Sequence, residues 1–109
     1  MADPRIKQIK IKTGVVKRLV KEKESYEKEA TQIEEKIEKM KADGKDEYDV
    51  KKQGEVLQES RSMVPDTIRR LKKAYADLDE LLQKESDLAE AEEFTQAKEA
   101  LATAEPVIA

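Results

Sequence analysis

A chain of 109 residues with 43% charged and 38% apolar side chains, a single Phe and no Trp cannot wrap a broad globular core, but it has the helix-former bias of long helices and coiled coils. The absence of Cys excludes disulfides and thiolate metal sites, and the absence of His removes the commonest general base. Net charge is −3, yet residues 1–23 carry +6 and residues 77–109 carry −8, so the two ends could face each other in one bundle or serve two different partners. The start Met-Ala-Asp-Pro lacks the apolar run of a signal peptide. No stretch approaches the ~18 uninterrupted apolar residues of a membrane span. One soluble, cytoplasmic domain over residues 1–109 is expected.

Asp3 followed by Pro4 suits an N-cap with proline at the first helical position. From there Ile9, Lys12, Val16, Leu19, Lys23, Tyr26, Ala30, Ile33, Ile37 and Met40 follow at steps of three or four, a helical stripe close to the 3.5 repeat of a coiled coil. The alternation Ile9-Lys10-Ile11-Lys12 and the poor helix former Gly14 compete locally with this reading, but the stripe runs on through them. Asp43-Gly44-Lys45-Asp46 ends the first helix, with a glycine just past its last periodic residue.

A second stripe, Val50, Gly54, Leu57, Arg61, Val64, Ile68, Leu71, Tyr75, Leu78 and Leu82, keeps its phase across Pro65. An interior proline removes a donor and presses on the carbonyl four residues back, at ~3 kcal/mol or more. A break into two helices would reset the phase, so one long helix kinked at Pro65 is the better reading. Folded back about Gly44, the stripes pair with a nearly constant sum of residue numbers, as an antiparallel hairpin requires: Met40 with Val50, Ile37 with Gly54, Ile33 with Leu57, Ala30 with Arg61, Tyr26 with Val64. Small opposes large at Gly54/Ile37 and Ala30/Arg61, with the Arg stem snorkelling outward.

Asp87-Leu88-Ala89-Glu90 reads as a capping-box start for a third helix. Its stripe is Leu88, Ala91, Phe94 or Thr95, Ala97 or Lys98, Leu101 and Ala104, with Pro106 as the stop. The expected fold is therefore all-α. It is an elongated three-helix bundle made of a long antiparallel hairpin (about 5–42 and 46–85) and a shorter third helix (about 88–105). At ~1.5 Å per residue the third helix covers only about half the hairpin.

Catalysis is not expected. The carboxylates Glu34, Glu35, Glu38, Glu90, Glu92 and Glu93 sit as solvated helix faces, and a narrow bundle offers no cleft to bury and tune them. Residues 43–54 fail as a calcium loop, having Lys45, Tyr48 and Gly54 where an oxygen ligand, Gly and Glu are needed. Neither metal nor cofactor is implied. The basic run Lys7, Lys10, Lys12, Lys17, Arg18, Lys21 and Lys23 lacks interleaved aromatics for base stacking, so it reads as an outer helix face rather than as a nucleic-acid or membrane site.

The octapeptide Glu59-Ser60-Arg61-Ser62-Met63-Val64-Pro65-Asp66 admits two readings: a bend that keeps two long helices wrapped, or an irregular surface suited to a partner. Residues 9–22, running from Ile9-Lys10-Ile11-Lys12-Thr13-Gly14 to Lys21-Glu22, closely resemble the start of the tubulin-binding cofactor A family, also called tubulin-specific chaperone A. Tyr26-Glu27-Lys28-Glu29-Ala30, the octapeptide, Arg69-Arg70-Leu71 and Ala76-Asp77-Leu78 match too. Ser62 and Val64 stand where the family pattern has Met and Ile, and the likeness loosens after Asp77.

The resemblance implies a three-helix bundle, free of nucleotide and metal, that captures β-tubulin released from the cytosolic chaperonin. It would hold β-tubulin for later tubulin-folding cofactors that join it to α-tubulin. Ser60, Ser62, Met63, Asp66, Arg69 and Arg70, around the proline, are the expected partner-binding residues. The alternative is a coiled-coil scaffold or dimerisation module with no tubulin client.

Overall fold

The computed structural model describes residues 3–109, which form α1 (Pro4–Ala42), α2 (Glu47–Lys84), a 3-10 turn (Ser86–Leu88) and α3 (Glu92–Ile108). Asp3 opens α1: its Oδ1 accepts the Arg5 backbone N–H at 2.9 Å, and Pro4 occupies the first turn, where no N–H is needed. The alternating stretch Ile9–Lys12 is helical. α1 ends over Gly44 at φ +70°, where the Lys45 N–H donates to the Met40 carbonyl (2.9 Å) and the Gly44 N–H to the Lys41 carbonyl (3.1 Å). Only a residue that tolerates the left-handed region can close both bonds cheaply. Asp46 then caps α2, its Oδ1 accepting the Tyr48 N–H at 3.0 Å. α2 runs through Pro65 without a break, as its unbroken phase implies.

α3 differs from the sequence reading at both ends. It begins at Glu92 rather than near Leu88, after an extended Ala91 that makes no side-chain cap. Asp87 does not cap because its carboxylate is drawn to Arg5. Arg5 Nη1 lies 2.9 Å from Asp87 Oδ2 and 2.8 Å from Glu85 Oε2. A full cation competes better for the carboxylate than partial charges on a helix end. The hydrogen bonds that Arg5 donates, to Asp3 first, then to Glu85 and Asp87, push its pKa up, while Arg5 holds the Asp3 carboxyl below its ordinary value. Pro106, expected to stop α3, lies inside it. The helix continues because Val107 and Ile108 still find the core to pack against.

The chain divides into two compact units: the start of α1, up to Lys21, with residues 68–109, and residues 22–67. The first has a three-layer core of Ile9, Val16, Leu19 and Val20 from α1, Leu71, Leu78 and Leu82 from α2, and Phe94, Ala97, Ala100, Leu101 and Ala104 from α3. Here α1 has two neighbours, so its buried face is wider than one coiled-coil seam and takes in Thr13 and Val20, which the single stripe omits. The Thr13 hydroxyl donates to the Ile9 carbonyl at 2.7 Å, so its burial leaves no donor unsatisfied. Of the alternatives on α3, Phe94 and Ala97 are buried while Thr95 and Lys98 are exposed. Tyr75 is half-buried, and burial, then Glu105 and Asp79, raise its phenol pKa.

The second unit has two layers. Its buried side chains are Ala30, Ile33 and Ile37 from α1 and Ser60 and Thr67 from α2, with Val50, Leu57 and Val64 half-buried. Arg61 is not in the seam: it is exposed and pairs with Glu34 at 2.6 Å, and Ser60 turns inward beside it. A buried guanidinium needs several polar partners, whereas the Ser60 hydroxyl needs one, and it donates to the Tyr26 carbonyl at 3.4 Å.

Candidate functional site

The proline in α2 has local consequences. Pro65 has no N–H, so the Arg61 carbonyl receives no helical bond from position 65. Three hydroxyls near it donate to backbone carbonyls instead of to a ligand: Ser60 to Tyr26, Ser62 to Glu59 at 2.7 Å, and Thr67 to Met63 at 2.8 Å. Among the described residues no buried side-chain nitrogen or oxygen is left without a partner.

The six expected partner-binding residues are thus sorted. Ser60 is buried and holds α2 against α1, Ser62 is exposed, and Met63 and Asp66 are half-buried, all four in the second unit. Arg69 and Arg70 are exposed in the first unit. Asp66, Arg69 and Arg70 each already engage another group of the chain.

A feature that the sequence reading did not single out lies nearer the turn of the second unit. Ile37 of α1 and Val50, Gly54 and Leu57 of α2 floor an open groove of about 470 Å³, rimmed by Glu34, Glu38, Lys41 and Arg61. Within this unit only α1 and α2 pack together, and Val50 and Leu57 of the seam are no more than half-buried. Gly54 deepens the groove, and packing does not require it, since a Cβ there would meet nothing within 4 Å. A mid-helix glycine is weaker than alanine by roughly 0.5–1 kcal/mol. Gly54→Ala is therefore expected to raise stability by about that amount in urea unfolding, with unchanged helicity by circular dichroism.

The sequence did carry a signal for this groove: a third helix too short to cover the whole hairpin, and a glycine inside an apolar stripe. An apolar floor with a rim of both charge signs can accept apolar side chains of a polypeptide while keeping the surface soluble. Among the described residues there is no group of three His, Cys, Asp or Glu side chains placed to hold a metal ion, and no helix long and apolar enough to cross a membrane.

The fold defines a small all-α helical-bundle protein whose second unit carries an open, apolar-floored groove. The family model Tubulin binding cofactor A matches residues 4–101, and the chain belongs to that family. It is 66% identical over 98 residues to tubulin-specific chaperone A of Homo sapiens, covering 90% of this chain and 91% of the relative. The structure of human tubulin chaperone cofactor a is similar, with a TM-score of 0.78 at 60% identity over 94% of this chain and 99% of that one. Tubulin folding cofactor A from Arabidopsis thaliana gives a TM-score of 0.84 at 43% identity, over 94% and 97% of the two chains.

Proposed function

We propose that this chain, acting as one domain in the cytoplasm, is a tubulin-folding cofactor. In this reading it captures β-tubulin folding intermediates after chaperonin release and holds them until other cofactors join them to α-tubulin. The observation that carries the reading is family membership over residues 4–101, among relatives named for tubulin folding. The groove floored by Ile37, Val50 and Leu57 supports a binding rather than a catalytic role. A client that must later be released suits a half-apolar, half-charged face, because a large apolar patch would hold it too tightly or aggregate.

In this proposal Ser62, Met63, Asp66, Arg69 and Arg70 contact the client, and Ser60 acts as a positioning residue that keeps α2 seated on α1. Alanine at Met63, Asp66, Arg69 and Arg70 together is expected to lower β-tubulin recovery in pull-downs roughly tenfold, with α-tubulin as the control. A handful of interface residues each contributing ~1 kcal/mol gives at least that change. Undiminished recovery by a folded quadruple variant would remove these residues from the contact surface. Equal recovery of both tubulins by the parent chain would remove β-specificity.

A further inference from the structure

Between Pro4 and Lys21 the chain contains seven basic residues and no acidic one. Meeting of the charged ends is realised at Arg5, through Glu85 and Asp87. By contrast Lys7, Lys10, Lys17 and Lys21 are exposed and form no ion pair with any described residue. At 3.6 residues per turn these four lysines fall in a sector of about 120° together with Ile11 and Gly14, roughly opposite Ile9, Val16 and Val20 of the core. The stripe from Lys7 to Lys21 is ~21 Å long and one helix wide.

Two residues in the stripe do not suit a merely solvated face. Ile11 is half exposed, at 50%, amid the lysines. Gly14 lies on the outer surface of a helix that it weakens, and an added Cβ would touch nothing within 4 Å, so the fold does not ask for glycine there. Glycine at such a point lets another backbone approach closely.

We propose that this face docks an acidic polypeptide segment that sets an apolar side chain on Ile11, passes its backbone over Gly14 and places carboxylates on the four lysines. Charge complementarity selects the acidic class. The single-helix width and the lone aliphatic anchor select a polypeptide over nucleic acid or a lipid surface. A broad polyanion would also meet the ten acidic residues of 77–109 in the same unit, and no exposed aromatic stands in the stripe for base stacking. This proposal is independent of the tubulin reading.

The test is fluorescence anisotropy of a labelled glutamate-rich synthetic peptide with one central leucine, titrated with the full chain at low and moderate salt. Binding that weakens with salt is expected. The combined variant Lys7→Gln, Lys10→Gln, Lys17→Gln and Lys21→Gln, whose folding is checked by circular dichroism, should bind roughly tenfold more weakly. Gly14→Ala should raise the unfolding midpoint yet weaken peptide binding, a pairing of signs that a structural role does not produce. Replacing the peptide's leucine by glycine should weaken binding to the parent chain but not to Ile11→Ser. Unchanged affinity in the lysine variant would overturn the proposal. So would tighter binding of a thymidine oligonucleotide or of phosphatidylserine vesicles than of the peptide.

Discussion

Leu78→Ala is expected to destabilise the protein by about 3 kcal/mol, within the ~2–5 kcal/mol found for emptying a leucine site that cannot collapse. Leu78 is fully buried in the first unit, in a core to which all three helices contribute. Three rigid helices resist closing over the vacated volume, so the cavity adds to the lost transfer energy. Domains of this size are commonly stable by only ~5–15 kcal/mol, which makes this a large fraction of the total. Urea unfolding followed by circular dichroism checks it. A loss below ~1 kcal/mol would mean that the core relaxes around Leu78, against the packing described. Leu57→Ala should lose less, because Leu57 is only half-buried in the two-layer unit.

Phe94→Ala is expected to have a comparable total effect, ~3–5 kcal/mol, but a different distribution. Phe94 is the largest side chain that α3 inserts, and most of the other buried residues of that helix are alanines, which bury little area each. α3 also starts from Ala91 without a side-chain cap, so little besides packing holds its first turn. Without the ring, α3 should open more readily than the hairpin. Native-state hydrogen exchange should then show protection falling first at residues 92–108, before the amides of Leu71 and Leu78. Uniform loss of protection across all three helices would show instead that α3 is not a separable cooperative element.

The two candidate surfaces differ in how readable they were. Pro65 marked the octapeptide at once, because a proline inside an apolar stripe breaks a local rule that some other part of the fold must offset. It did not reveal which neighbours point outward, and Ser60 and Arg61 exchange the roles that regular spacing assigns to them. Their positions differ by about 100° around the helix, less than the uncertainty of a stripe whose next members, Leu57 and Val64, fit either choice. The groove at Gly54 was half legible: the glycine and the short third helix were visible, the absence of any atom near a Cβ there was not.

Taken alone, the sequence determined what depends on neighbours in the chain: three helices, the Asp3–Pro4 start, the turn at Gly44, and the passage of α2 through Pro65. Each follows from backbone sterics, capping or periodicity within a few residues. Tertiary structure decided the remainder. It chose Phe94 and Ala97 over Thr95 and Lys98, drew Thr13 and Val20 into the core, moved the start of α3 to Glu92 by taking Asp87 for Arg5, and carried α3 past Pro106. Those outcomes turn on how many neighbours a helix has and at what angle they sit. A stripe of apolar residues gives the existence and rough width of a buried face, but only the packed neighbours fix its rotation.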